Sequence, residues 1–93
     1  MPNYTFYRDA SNRLAFDVSN IGSEEYRRKC HEIAQKFDLV PLRGLVVGLD
    51  EMFRDYHRDN LVVGLEWDIW SGFIVVAKTS QAAALVEEIA DFL

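Results

Sequence analysis

Residues 61–78 contain the feature that most restricts the fold of this chain. Within 61–70 apolar residues alternate with other residues, which is typical of a half-buried strand. Within 73–78 the sequence FIVVAK is rich in β-branched residues and suits the middle of a sheet. Between them, Ser71 and Gly72 predict a two-residue turn, because Gly72 can adopt positive φ. The segment therefore predicts a central β-hairpin.

A second hairpin is predicted near the start of the chain. Residues 3–9 and 13–19 both alternate between apolar and polar positions, with the period of two that extended strands have. The turn-forming sequence Asp9-Ala10-Ser11-Asn12 separates them. We interpret the two runs as paired strands.

Two segments have the spacing of amphipathic helices. Residues 24–37 carry an apolar stripe at intervals of three and four, with Ser23 as the expected N-cap and Pro41 as the far limit. A last helix is expected after Thr79 or Ser80. Its buried stripe would consist of Leu85, Val86, Ile89 and Phe92.

The segment 42–58 is the least regular part of the pattern. Residues 42–48 are compatible with a short strand, although the glycines at both sides weaken it. Asp50 is the expected N-cap of a short helix that ends at Asp59. Its apolar positions, at i, i+3, i+4 and i+7, are Leu49, Met52, Phe53 and Tyr56.

These elements predict an α+β fold in the order ββα, short α, ββα. The expected architecture is a two-layer sandwich, with a mainly antiparallel sheet of four to five strands and the helices on one face. A chain of 93 residues suits one domain, 1–93, with one modest core.

The central hairpin should divide its side chains between two faces. With the two-residue turn, the helices would meet Leu65, Trp67, Ile69, Ile74 and Val76. The other face would carry Glu66, Asp68, Trp70, Phe73, Val75 and Ala77. Two unpaired carboxylates would each cost several kcal/mol in a dry interior. Acids beside aromatic side chains therefore predict a protein-binding surface, provided that the turn has two residues, since three would reverse the parity.

Three interpretations of this second face stay open. In the first interpretation, the face is a half-open sheet whose apolar residues are covered by residues 42–58, and Glu66 and Asp68 pair with Arg54 or Arg58. Alternatively, it binds a foreign protein or a second copy of the chain. A catalytic pair of carboxylates is the third interpretation, but no other part of the sequence supplies the rest of a glycosidase site.

The charge of the chain is unevenly distributed. The net charge is −5, of which residues 1–46 contribute +1 and residues 47–93 contribute −6. This bias disfavours nucleic acid as a partner and favours a basic protein, although acids also simply keep a small domain in solution. We expect four further acids to support partner binding: Asp50, Glu51, Asp55 and Asp59.

Several function classes are not expected. The apolar runs are too short for a bilayer, which takes about 20 residues. The N-terminal sequence does not resemble a signal peptide, and the single Cys30 excludes an internal disulfide. We therefore expect a cytoplasmic protein, or one secreted by a route that leaves no such mark in the sequence. No catalytic, phosphate-binding, metal or cofactor motif is present; His57 and Asp59 are two apart and do not share a helical face. Cys30 lies on an apolar stripe and should be a small buried hydrophobe.

In size, acidity and α+β plan, the chain is similar in kind to small bacterial antitoxin and immunity proteins, which neutralise a toxin by capping it. This resemblance rests on no diagnostic residues. The first hypothesis is a non-enzymatic protein-binding module of this type with a basic partner. Its rivals are a homodimeric self-association domain and a small ligand-binding protein or enzyme, which would need a pocket at 42–58.

Overall fold

A computed structural model describes residues 4–93 of the chain. These residues form seven strands: β1 (Tyr7–Arg8), β2 (Leu14–Val18), β3 (Val40–Pro41), β4 (Val46–Val47), β5 (Glu51–Arg58), β6 (Leu61–Asp68) and β7 (Gly72–Ala77). The helices are α1 (Tyr26–Phe37) and α2 (Ala83–Phe92), each preceded by a short 3-10 turn. All strands belong to one antiparallel sheet of order β1-β2-β7-β6-β5-β3, in which β4 also pairs with β5. The predicted α+β class is confirmed, but the sheet is larger than the expected four to five strands.

Alternation along the strands decides which side of the sheet is covered. One side of β2, β6 and β7 joins both helices in a single apolar core. The hydroxyl of Tyr26, in the first turn of α1, donates a hydrogen bond to the carbonyl of Leu65 in β6. The two helices meet through Phe37 and Phe92, whose ring centres lie 5.7 Å apart. The strand residues buried on this side are Phe16, Val18, Tyr56, Val63, Leu65, Phe73, Val75 and Ala77.

The connection between β6 and β7 has three residues, 69–71, and not the two that were predicted. The register pairs Asp68 with Gly72, Trp67 with Phe73 and Glu66 with Ile74. The predicted register paired Asp68 with Val75 and was therefore wrong by three residues, an odd number, which exchanges the faces of β7. Phe73, Val75 and Ala77 are buried under the helices, whereas Ile74 and Val76 lie on the other side. Ile69 lies in the connection and is exposed.

The predicted helix after Asp50 is wrong, because residues 51–58 form β5. Met52 and Tyr56 face the helices, and Arg54 lies on the same side between them. Phe53 points to the opposite side of the sheet. The charged Arg54 thus faces the helices and the aromatic Phe53 faces away from them. This arrangement hides the strand period of two and gives the apolar residues the spacing of a helix. The ambiguous stretch 42–48 contains β4, which is two residues long.

The N-terminal hairpin is confirmed as β1 paired with β2, although residue 3 of the predicted first strand lies outside the described residues. Asp9 organises its turn: Oδ1 accepts hydrogen bonds from the amides of Ser11 and Arg13, each at 2.9 Å. Helix α1 covers most of the predicted range. Ser23 begins the 3-10 turn ahead of it, but makes no capping hydrogen bond through its side chain within residues 4–93.

Candidate protein-binding face

The side of the sheet opposite the helices carries a concentration of acidic residues. Strands β2, β5 and β6 place five carboxylates on this side: Asp17, Glu51, Asp55, Glu66 and Asp68. Phe53 and Ile74 lie between them, one on each side of Glu66 in the cross-strand register. We call these seven residues, together with Lys78, the acidic sheet face.

Lys78 is the cation that contacts this face. Its Nζ lies 3.1 Å from Oε2 of Glu66 and 3.8 Å from Oδ1 of Asp55, and all three side chains are about one quarter exposed. Gly64 makes this arrangement possible, because an added Cβ there would lie 2.6 Å from Cε of Lys78. Of the cations within residues 4–93, only Lys78 comes within 4 Å of any carboxylate on this face.

The bases that the sequence suggested as partners of Glu66 and Asp68 have other surroundings. Arg58 donates a hydrogen bond from Nη1 to the carbonyl of Phe37, at 2.8 Å. Arg54 points to the helix-covered side. The acidic sheet face therefore keeps most of its negative charge, with five carboxylates and one neighbouring ammonium group in the part of the chain that the structure describes.

Asp68 has a structural role as well as a charge. Its Oδ1 accepts hydrogen bonds from the backbone amides of Trp70, at 3.0 Å, and Ser71, at 2.6 Å. A carboxylate that accepts from the amides two and three residues ahead stabilises a turn. Asp68 therefore holds the β6–β7 connection in place. It also lies directly across the strand pair from Glu51.

Aromatic side chains lie on the acidic sheet face and beside it. Trp70 is 78% exposed and lines a surface depression that also includes Tyr7 and Asp17. The Tyr7 hydroxyl donates a 2.6 Å hydrogen bond to Oδ1 of Asp17. Burial, and then the hydrogen bond to Asp17, raise the pKa of Tyr7 well above its ordinary value, so this donor stays protonated. Phe53 is 37% exposed beside Glu66.

The structure separates the predicted partner-binding residues. Phe73 is completely buried and packs edge-on against Tyr26, so its predicted place opposite Trp70, on the same face as Glu66, was wrong. Asp50 and Glu51 lie at the same end of the sheet as the β6–β7 connection, where the carbonyl of Asp50 accepts a hydrogen bond from the Ile69 amide. Asp59 lies in the β5–β6 turn with φ of 53°, at the far end of β5.

Sequence reasoning missed four residues of this face, namely Asp17, Phe53, Ile74 and Lys78, and also missed Tyr7 beside it. Alternation in β2 already indicated that Asp17 points away from the core. What the pattern lacked was the order of the strands, which brings β2 beside β7 and so places Asp17 next to Ile74.

A separate cavity of about 440 Å³ lies between α1 and the outer part of the sheet, on the helix side. Cys30 lines it and is almost completely buried. Burial raises the pKa of its thiol to about 11, although the Tyr26 and Tyr56 hydroxyls and the Arg54 guanidinium act in the opposite direction. The thiol is therefore protonated at neutral pH, as befits a packed side chain.

Within residues 4–93 no helix has the length and apolar character needed to cross a membrane. The same residues contain no group of three or more His, Cys, Asp or Glu side chains placed to hold a metal ion. Comparison of the chain with protein families, with curated proteins and with solved structures finds no match.

Proposed function

We propose that this protein is a non-enzymatic binding module that caps a basic site on another protein with its acidic sheet face. The observation that carries the proposal is the presence of five carboxylates on one uncovered side of a sheet, with Lys78 as their neighbouring cation. An inhibitor of the immunity or antitoxin type, acting in the cytoplasm, is the specific form that we favour. The lone cysteine suits such a reducing compartment.

Electrostatics supports a fast encounter with a basic partner. Charges on one surface add to a field that reaches about 8 Å at physiological ionic strength. Complementary fields of this kind raise association rates from about 10⁵–10⁶ to as much as about 10⁹ M⁻¹s⁻¹ at low salt. We therefore assign the carboxylates mainly to the association rate, and expect that rate to fall with added salt.

The exposed aromatic side chains on and beside the acidic sheet face suit the role of affinity anchors. Trp70 and Phe53 are exposed beside carboxylates, and tryptophan is among the residues that most often dominate binding energy. Truncation of such an anchor typically costs at least about 2 kcal/mol, which corresponds to roughly thirtyfold in affinity. We expect this loss to appear in the dissociation rate.

The experiment is affinity capture of a basic protein by the tagged chain, followed by binding kinetics on the purified pair. Glu51→Lys is expected to lower the association rate about tenfold at low salt and much less at high salt. Trp70→Ala is expected to raise the dissociation rate. Glu87→Lys, an identical charge change on the exposed surface of α2, serves as the control and should leave both rates within about twofold.

Two results would count against the proposal. One is an equal effect of Glu51→Lys and Glu87→Lys, because a general charge effect does not depend on which face is altered. The other is unchanged affinity of Trp70→Ala for the captured protein. Circular dichroism of each variant separates a loss of binding from a loss of fold.

Exposed apolar residues at one end of the sheet favour self-association as a second candidate. Leu49 is fully exposed, and Val47 and Ile69, each 57% exposed, line the same depression. Apolar clusters of this kind mark protein interfaces when they are contiguous. Sedimentation velocity across a wide concentration range tests it. A dimer that Leu49→Lys dissociates would support this candidate, and a monomer at all concentrations would remove it.

A further inference from the structure

The cavity between α1 and the outer strands differs in charge from the acidic sheet face. It has a volume of about 440 Å³, within the range of about 300–1,000 Å³ that small-molecule sites have. Among the described residues that line it, none is acidic, although the chain as a whole has a net charge of −5. Its ionisable side chains include Arg27 and His31 from α1 and Arg54 from β5. The cavity is thus a locally cationic region in an acidic protein.

Arg54 is the least satisfied of these cations. Its Nε is buried and has no hydrogen-bond partner within residues 4–93, and its guanidinium forms no ion pair with those residues. The guanidinium carbon lies 5.9 Å from the centre of the Tyr56 ring, which gives it a cation–π contact but no negative charge. Arginine stays charged under all conditions in which proteins fold. A partly buried cation without a counter-charge favours the arrival of an anion.

Several other basic residues differ from Arg54 because they form ion pairs. Lys78 contacts two carboxylates, Arg13 pairs with Asp9 at 3.0 Å, and Arg28 pairs with Glu25 at 2.9 Å. Each of those cations has its counter-charge within the fold. Arg54 is directed to the helix-covered side, at the wall of the cavity, where the lining offers hydroxyl, amide and thiol groups but no carboxylate.

The remainder of the cavity is apolar. Leu39, Pro41 and Leu45 approach from the segment that connects α1 to β4, and Ala34 contributes from the helix. A site of this composition accommodates hydrocarbon along one wall and a charged group along the other. Simple inorganic anions would leave the apolar wall unused.

We propose that this cavity binds a small organic carboxylate, with its anionic group at Arg54 and its hydrocarbon part against Leu39, Pro41 and Leu45. Arginine forms paired hydrogen bonds with carboxylates, which supplies both charge and geometry. Tyr56, Gln35 and His31 also line the cavity and offer further polar contacts. The site lies on the helix side of the sheet and is independent of the acidic sheet face.

The test is a titration of the isotope-labelled protein with benzoate and hexanoate, followed by NMR, with benzamide and hexanamide as neutral counterparts. Saturable shifts are expected at the amides of Ala34, Leu45 and Arg54 with the carboxylates. Benzamide and hexanamide should bind at least about tenfold more weakly than the carboxylates. The reason is that a hydrogen bond to a charged group contributes about 1.5–3 kcal/mol, which corresponds to more than tenfold in affinity.

Substitutions then locate the site. Arg54→Met keeps an unbranched apolar stem without the charge and should weaken benzoate binding at least about tenfold. Arg43→Met, at an exposed arginine that does not line the cavity, is the matched control and should change it by less than about twofold. Ala34→Leu fills part of the cavity and should also weaken binding, which keeps the test usable if Arg54→Met does not fold.

Three outcomes would overturn the inference. They are the absence of saturable shifts with both carboxylates, equal binding of carboxylates and amides, and unchanged binding by both Arg54→Met and Ala34→Leu. Glu51→Lys should bind benzoate like the unaltered protein. Failure of the carboxylate site and failure of the acidic sheet face are therefore distinguished by separate variants.

Discussion

Replacement of Gly72 by alanine should be among the most damaging single changes in this protein. Gly72 begins β7 directly after the three-residue connection and has φ of 78°. A Cβ at this position would lie 2.5 Å from the carbonyl oxygen of Val18 and 2.8 Å from Cα of Ser19. Both contacts are with backbone atoms of the neighbouring strand end, which cannot rotate away.

The magnitude follows from two contributions. An L-residue with a Cβ loses roughly 1–2 kcal/mol when it is held in the left-handed conformation. Steric overlap in a packed region typically costs about 1–3 kcal/mol more. We expect a loss of about 2–5 kcal/mol from the free energy of unfolding, in a class of domains whose total stability is about 5–15 kcal/mol. In a domain of this size, each kcal/mol lowers Tm by about 4–8 °C.

Urea denaturation followed by circular dichroism measures this loss. An unchanged m-value checks that the substitution has altered stability and not the surface exposed on unfolding. Gly44→Ala is the matched control, since a Cβ there has no neighbour within 4 Å among residues 4–93. It should change stability by less than about 0.5 kcal/mol. If Gly72→Ala is no less stable than Gly44→Ala, the assigned register of β6 and β7 is wrong.

Three further outcomes are expected from other parts of the structure. Tyr26→Phe should cost about 1 kcal/mol in urea denaturation, because the hydrogen bond to the Leu65 carbonyl is lost; no change would mean that the bond is not formed in solution. Lys78→Met should cost at most about 1 kcal/mol, and this cost should shrink with added salt, because the ion pair with Glu66 is partly exposed; an effect that is independent of salt would contradict this. Burial raises the pKa of Tyr26 above 10.0 and that of Cys30 from 9.0 to about 11, so both groups are neutral in the folded state. The contribution of these two neutral groups to the free energy of unfolding should therefore be fully present below pH 9.0 and be lost as the pH rises through about 11. A free energy of unfolding that does not change across this range in urea denaturation would show that the two groups are not buried in solution.

The central hairpin and the first helix could be predicted because their side chains obey the period of their elements. Val63 and Leu65 alternate with other residues along β6, and both are completely buried. Cys30 and Ile33 lie on the predicted stripe of α1, and both are buried as well. In these segments, local pattern and tertiary packing require the same conformation.

Strand β5 could not be predicted because its pattern conflicts with its environment. Arg54 occupies a position that faces the helices, where a strand pattern calls for an apolar residue. Phe53 occupies a position that faces away from them. The conflict coincides with the cavity on one side and the acidic sheet face on the other, and local rules commonly fail at such sites.

The candidate site was predicted in part. Glu66 and Asp68 lie on the uncovered side of the sheet, as alternation from Leu65 and Trp67 indicated. The one aromatic residue of β7, Phe73, was assigned to the wrong face, because one additional residue in a turn reverses every side chain beyond it. Turn length is encoded partly by Asp68, whose carboxylate accepts the amide hydrogen bonds of the connection. Such a role is not visible in an apolar–polar pattern.

The brevity of the outermost strands has a consequence for the behaviour of the protein at high concentration. β1 and β3 are each two residues long, and Pro41 in β3 has no amide hydrogen to donate. An incoming extended chain would find too few free backbone groups to continue the ladder. Growth into cross-β fibres is thereby obstructed at both margins, even though Phe53 and Ile74 leave apolar surface in the open.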